Sequence, residues 1–513
     1  MNYHSCDSFL TSHRKKQAMR FCRREFLTSA SLGLAGIAIS KNGYASAFNL
    51  FQSAQPAPIR LQPATRTLEI NGKPASVLGL LQKNGTQGLE TVVNQPFQVV
   101  LENKLTEPTA IHWHGLHPPN NEDGVPLVTQ PAIRANESSL FNFPVLPAGT
   151  HWMHSHQGFQ EVRLLSAPLI VHDSADQAAD VQQVVVMFGD FSFTPPQEIF
   201  AQLRAPKKGM AMGKMAASTP DANDVNYDAY LANDRTLADP DVVRVEKSGR
   251  VRLRIINGSS GTNYFVDLGS LTGELIATDG MPVKPIRASR FPLAIAQRID
   301  VMVQIPAGGG AFPILGLREA SREQTGVFLA TPGAPIKRLP VKAATPTGLL
   351  TLDQESQLSA VTPLTPKGPE QTSILRLQGN MAKYQWMMNN VVFDVNNPGV
   401  EKSQVQVKMG QRVALKFVNE TPMSHPMHLH GHTFQVVEIN GRPLQGPLRD
   451  TVLVPGQATV TVAFDANNPG LWFVHCHIMW HLEAGMAALL KYEAEALIER
   501  EICHRVVLSI ASP

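Results

Sequence analysis

Residues 472–486 concentrate the chemically capable side chains of this chain: His475-Cys476-His477, then His481 and Met486, five and ten positions past the cysteine. The residues ahead of the cysteine are aromatic and β-branched, which predicts a buried strand. Side chains alternate faces along a strand, so His475 and His477 point one way and Cys476 the other. A thiolate, an imidazole and a thioether from one short segment are three of the four ligands of a blue-copper electron-transfer site. The two flanking histidines are left for another metal on the opposite face.

The remaining donors lie upstream. His425-Pro426-Met427-His428-Leu429-His430-Gly431-His432 offers His425 as the second imidazole for the cysteine's metal, with His428 and His430 as an i, i+2 pair on one strand face. Two similar pairs stand near the start, His112-Trp113-His114 and His154-Ser155-His156. Ten of the 17 histidines therefore fall in metal-ligand patterns, a clustering that ordinary core packing does not produce.

These four segments, in this order, resemble the copper signatures of the multicopper oxidases, the family of laccases, ascorbate oxidase and bacterial copper-efflux oxidases. The resemblance implies four copper ions, one of type 1, one of type 2 and two of type 3. It gives the type 1 ion to His425, Cys476, His481 and Met486. The coupled pair falls to His114, His154, His156, His430, His475 and His477, and the single type 2 ion to His112 and His428. Cys476 would receive each electron, and Asp123, in Glu122-Asp123-Gly124-Val125-Pro126, holds the place of a family carboxylate beside the single copper. These two are the residues expected to take part in catalysis beyond binding metal. Consecutive Cα atoms are about 3.8 Å apart, so metals on the two faces of the His-Cys-His strand would sit on the order of 10 Å apart.

The implied activity is one-electron oxidation of a small reductant, a phenol or a low-valent metal ion such as Cu(I), Fe(II) or Mn(II), coupled to four-electron reduction of O₂ to water. The competing expectation is a periplasmic copper-binding or resistance protein with little turnover. Several bacterial relatives carry a glutamate directly after the second type 1 histidine, where this chain has Leu482, and Glu483 follows. Met423 stands two before His425, where copper-oxidising relatives place a methionine, but Thr421 replaces their acidic residue. Met210, Met212 and Met215, in a low-complexity cationic segment, are soft donors suited to Cu(I), or a loop without function.

The elements that must position these donors read as all-β. Valine- and threonine-rich runs separated by Gly, Pro and Asn signals dominate, with few helical periods. An internal repeat sharpens this. Phe97-Gln98-Val99-Val100-Leu101-Glu102-Asn103 matches Val251-Arg252-Leu253-Arg254-Ile255-Ile256-Asn257 and Val413-Ala414-Leu415-Lys416-Phe417-Val418-Asn419. In the first and third copies a His-x-His-Gly begins nine positions after the Asn, and Gly149 and Gly470 lie five before His154 and His475. The middle copy runs Gly258-Ser259-Ser260-Gly261 where its siblings carry histidines. Three cupredoxin-like Greek-key β-sandwiches are expected: 55–175 and 370–495 bearing the trinuclear ligands, 370–495 also the type 1 copper, and 180–335 metal-free. Residues 337–369, rich in Pro and Thr, read as a connector, and 492–500 as a short amphipathic helix.

Composition bounds the rest. A chain of 513 residues with 43% hydrophobic and 17% charged residues can bury a large core. Residues 1–47 carry seven Lys/Arg and two Asp/Glu, so the body sits at −2 of the overall +3, which gives no reason to expect nucleic-acid binding. That leader, with Arg23-Arg24 ahead of a mild apolar run and Ala45-Ser46-Ala47, resembles a twin-arginine signal peptide. It implies a bacterial protein exported folded to the periplasm or beyond, with no permanent membrane anchor. Of four cysteines, Cys6 and Cys22 would leave with the leader, so a metal-bound Cys476 and a free Cys503 leave no disulfide.

Overall fold

The computed structural model describes residues 58–205, 222–394 and 404–493. The leader, the segment around Met210–Met215, Cys503 and most of 492–500 lie outside them. Tyr492 itself, expected to open a helix, instead ends the strand Ala487–Tyr492 and is buried there. No helix among the described residues is long and apolar enough to cross a membrane.

Strands fall into three pairs of sheets, drawn in turn from residues 59–172, 182–330 and 371–492. The architecture is all-β, three cupredoxin-like sandwiches, and each pair repeats one plan. In each, the opening strand runs parallel to the strand that ends at or just before the repeated Asn: Ile59–Ile70 with Pro96–Glu102, Gln182–Phe191 with Arg250–Asn257, and Gln371–Asn380 with Arg412–Asn419. Each facing sheet also closes on a parallel edge pair, such as Gln404–Val407 on Ala487–Tyr492. Alternating apolar residues of the two sheets fill the space between them, so burial of one face fixes the register.

The repeated asparagine has one job in all three copies. Asn103, Asn257 and Asn419 are buried, and each Oδ1 accepts the N–H two residues on, from Leu105, Ser259 and Thr421. Each Nδ2 donates to two further carbonyls, Glu107 and Ile133, Thr262 and Leu293, Met423 and Val454. Leaving a sheet strands backbone polar groups, and a short amide side chain satisfies them in place of a ladder. In the outer copies this turn launches the histidine strands Ile111–His114 and His425–Leu429. In the middle copy the position nine past Asn257 is Val266, on the strand Tyr264–Asp267. The Gly258–Gly261 loop therefore precedes the histidine position; it wraps Asp190, which accepts from Ser260, Gly261 and Thr262.

The paired glycines serve close approach. Gly149 (φ 135°) would put a Cβ 2.4 Å from Gly280 of the second sandwich, and Gly470 (φ 156°) 2.4 Å from Asn120 of the first. Beside Gly470, Asn120 Nδ2 donates to the Leu471 carbonyl at 2.8 Å, tying the first sandwich to the third. The connector is likewise fastened. Leu350, Leu358 and Ala360 are buried, and Glu355 forms a two-pronged ion pair with Arg449 at 2.7 and 2.8 Å.

Candidate metal centre

Two histidine-bearing strand pairs have the same register. His112 lies opposite His154 in the first sandwich, and His428 opposite His475 in the third. Between neighbouring histidines the alternate side chain turns inward: Trp113 packs edge-on against Phe97 and Phe141 at 4.8 and 4.9 Å. Ser155, which stands where the third sandwich has Cys476, donates instead to Gln160 Oε1 at 2.8 Å. The eight imidazoles of the four pairs then meet between the outer sandwiches. Donor atoms converge within 4.8 Å in the sets His114, His154, His477; His156, His430, His475; and His112, His114, His428.

In six of the eight rings one nitrogen already lies against an acceptor. Nδ1 of His112 faces the Asp123 carbonyl (2.9 Å), that of His428 the Asp450 carbonyl (2.8 Å), and that of His475 the Cys476 carbonyl (3.0 Å). His430 Nδ1 faces Asp123 Oδ2 (2.9 Å), His154 Nδ1 faces Glu161 Oε2 (2.7 Å), and His114 Nε2 faces Asp450 Oδ1 (2.9 Å). Carbonyls and carboxylates only accept, so each neutral ring places its proton there and leaves the other nitrogen bare. Those bare nitrogens face one another: His112 and His428 at 3.4 Å, His114 and His154 at 3.4 Å, His430 and His475 at 3.0 Å.

Protonation does not relieve the opposed lone pairs. Burial first, and then the neighbouring imidazoles, push His114, His154, His156, His428, His430 and His477 well below the ordinary histidine value. Both nitrogens of His477 and Nε2 of His156 are buried with no hydrogen-bond partner among the described residues. A donor set of this kind fits cations held at the bare nitrogens.

The second cluster is trigonal. His425 Nδ1 and His481 Nδ1 are 3.1 Å apart, and each lies 3.6 Å from Cys476 Sγ. Such spacings enclose a point about 2.0–2.3 Å from all three donors, ordinary metal–nitrogen and metal–sulfur lengths. Burial pushes the Cys476 thiol up, so a thiolate there needs a cation beside it. The far nitrogens are again occupied: His425 Nε2 by Thr421 Oγ1 (2.8 Å) and His481 Nε2 by Asp224 Oδ2 (2.7 Å). Met486 is buried on the returning loop, its carbonyl accepting from the Cys476 amide at 3.1 Å.

Asp123, anticipated from its place in the sequence, bridges His112 and His430. Gly124 (φ 88°) makes this possible, since a Cβ there would lie 1.9 Å from the Ile111 carbonyl. Met423 is 3% exposed and packed in the core, and its carbonyl accepts from Asn419. His117 bonds Thr433, His432 bonds Tyr492, and His151 lies beside Arg298, all outside the donor sets. Leu482 and Glu483 line a cavity of about 380 Å³ that also reaches His156. Four residues escaped the sequence reading: Glu161, Asp224, Arg298 and Asp450. Each sits on a different loop or strand from the histidine it serves, and no local spacing marks it.

Family models described as multicopper oxidase match residues 65–176, 182–328 and 365–496. The multicopper oxidase MmcO of Mycobacterium tuberculosis is 31% identical over 94% of this chain and 99% of its own length. This chain belongs to the multicopper oxidases. As a multicopper oxidase it is a copper-binding oxidoreductase that uses oxygen and a reductant. A copper resistance protein A homologue of Pseudomonas syringae is 24% identical over 77% of this multicopper oxidase and 85% of the relative. Among solved structures, the iron-import oxidase Fet3p (TM-score 0.71, 18% identity, 85% of this chain and 90% of that one) and the Botrytis aclada laccase (0.72, 23%, 85% and 87%) share the fold.

The buried histidines make the copper-free oxidase acid-labile. Burial lowers His117 from 6.5 to about 4. Between those values the unfolded chain binds a proton that the folded chain does not, so folding stability falls as pH drops from 6.5 to about 4. Thermal unfolding of copper-free protein across that window should show the decline, and His117→Gln should flatten part of it. A flat profile in the parent protein contradicts the assignment.

Proposed function

We propose that this multicopper oxidase is an exported enzyme holding four coppers in two centres, and that it oxidises a phenol or a low-valent metal ion. In this reading the sandwiches span about 55–175, 180–335 and 370–495. His425, Cys476 and His481, with Met486 as a fourth, weaker donor, would hold a type 1 ion. His114, His154, His156, His430, His475 and His477 hold the type 3 pair, and His112 and His428 the type 2 ion. The observation that carries the assignment is the opposition of bare imidazole nitrogens, His114–His154 at 3.4 Å and His430–His475 at 3.0 Å inside the outer sandwiches and His112–His428 at 3.4 Å across their join. Bound copper supplies one-electron transfer at the first centre and four-electron reduction of O₂ to water at the second.

The chain's own residues prepare both steps. Cys476 joins the centres covalently, since His475 and His477 are its neighbours in sequence and face the other way. Asp123 holds the Nδ1 protons of His112 and His430, so their Nε2 atoms stay free. At the entry side, His481 Nε2–H donates to Asp224, which also accepts from Tyr384 at 2.6 Å. The Asp224 side chain is almost wholly buried beside this imidazole, and its negative charge favours a cation or a phenol hydroxyl brought up to it, the two reductant classes expected. The leader lies outside the described residues, and export by the twin-arginine route rests on its sequence. Replacing Arg23 and Arg24 together by lysine should trap the protein inside the cell; unchanged export sinks that part.

Oxygen uptake by copper-loaded protein, with a phenylenediamine, Fe(II) and Cu(I) offered in turn, tests the activity. Uptake with at least one is expected; none favours a copper-binding protein with little turnover. Asp224→Asn keeps an acceptor but removes its charge, and a hydrogen bond to a charged group is typically worth about 1.5–3 kcal/mol against about 0.5–1.5 kcal/mol for a neutral one. It should lower kcat/KM for the reductant by roughly tenfold, since every 1.4 kcal/mol is tenfold. The saturation constant for O₂ should not move.

A further inference from the structure

Glu161 lies in the turn that follows the second histidine pair, and its side chain is wholly enclosed. Oε2 is 2.7 Å from His154 Nδ1 and Oε1 is 3.9 Å from His477 Nδ1, and neither oxygen makes a hydrogen bond among the described residues. These two imidazoles, one from each outer sandwich, are its ion-pair partners among the described residues. Gln160 anchors the turn, accepting from Thr109 and Ser155 and donating to the Pro108 carbonyl. The other charged group nearby is Asp190, of like sign, whose own oxygens are taken up by Ser260, Gly261 and Thr262.

A buried carboxylate without a lysine or arginine costs several kcal/mol unless positive charge sits close by. The two rings it touches share one donor set with His114. Positive charge held by those rings is what the carboxylate would face. We infer that Glu161 is a positioning residue of the copper pair: it lies against Nδ1 of His154, flanks His477, and sets a negative charge behind both. A carboxylate behind a metal-bound imidazole fixes the tautomer and makes the ligand more basic. Glu161 thereby joins the sandwiches through one side chain at the pair, as Asp123 does between His112 and His430. This rests on the ligand assignment proposed above.

The test uses full-length, copper-loaded protein with Glu161→Leu, Glu161→Gln and, as reference, His154→Ala. Copper per chain after dialysis against a chelator, the blue absorption of the cysteine centre and the near-ultraviolet absorption of the coupled pair are read together with thermal unfolding of the copper-free forms. Losing an outer-shell partner typically costs about 10–100-fold in metal affinity. Glu161→Leu should lose pair copper by that factor, keep the blue band, and unfold no earlier than the parent when copper-free. Glu161→Gln, which keeps an oxygen beside Nδ1 but loses the charge, should recover part of the loss. Parental pair absorption in Glu161→Leu overturns the inference, as does a copper-free form that unfolds earlier, the mark of a structural acid. Pair copper retained in His154→Ala instead overturns the ligand assignment.

Discussion

Cys476→Ser is expected to abolish the blue colour, reduce bound copper by one ion per chain, and stop electron delivery to oxygen. The thiol is the one donor in its cluster that can carry charge, and the two imidazoles 3.6 Å away cannot replace it. Serine is smaller and its hydroxyl stays protonated, so the site keeps its shape and loses its strongest bond to copper. Because the same residue is the covalent link to His475 and His477, both redox functions should fail together. The drop in oxygen uptake should exceed the roughly 100-fold that loss of an outer-shell partner brings. The histidines of the second centre are untouched, so its coppers should remain and its near-ultraviolet absorption persist. A blue, active Cys476→Ser protein would end the assignment.

Arg298→Leu should produce the largest loss of stability. Arg298 is fully buried on a strand of the middle sandwich and donates to Asp450 at 2.7 and 2.5 Å and to the Thr150 carbonyl at 3.0 Å. Removing it leaves Asp450 and Asp279 buried without that guanidinium, and breaking a buried pair on one side costs about 3–5 kcal/mol. Asp450 in turn holds His114 Nε2, so the histidine's ring should loosen as well. The variant should therefore unfold at clearly lower temperature and also release copper from the pair. Arg449→Leu is the matching control, because it breaks the buried pair with Glu355 and a 3.3 Å contact to Asp279 while leaving Arg298 on Asp450. It should lower stability by a similar amount and leave copper in place. Equal copper loss in both variants would mean that Arg298 acts through the fold alone.

The middle sandwich gains a part from this arrangement although it carries none of the histidine pairs. Arg298 reaches the histidines through Asp450, and Tyr227 accepts from Trp480 beside His481 at 2.8 Å. Asp224, just ahead of Tyr227, caps His481 directly.

The sequence by itself determined which segments offer donors and the plan of the fold. A strand alternates its faces, so His-x-His and His-Cys-His dictate which side chains share a side, and the repeat ending in Asn103, Asn257 and Asn419 marks three copies of one sandwich. Those are short-range properties, set by a period of two residues and by a turn that one amide side chain closes. The tertiary structure alone decided which nitrogen of each ring is free, because that depends on acceptors brought from elsewhere in the chain. Asp450 reaches His114 across 336 positions and Asp123 reaches His430 across 307. Glu161 was invisible for a related reason. It follows His156 by five residues, yet it serves His154 and His477, and an acidic residue in a surface-like turn looks the same in sequence whether solvent or a buried imidazole receives it. Met423 shows the converse: its spacing to His425 suggests a donor, while packing against the core and the demands of Asn419 account for its burial. Spacing along the chain specifies what a segment offers; the packing of distant segments specifies what each group faces.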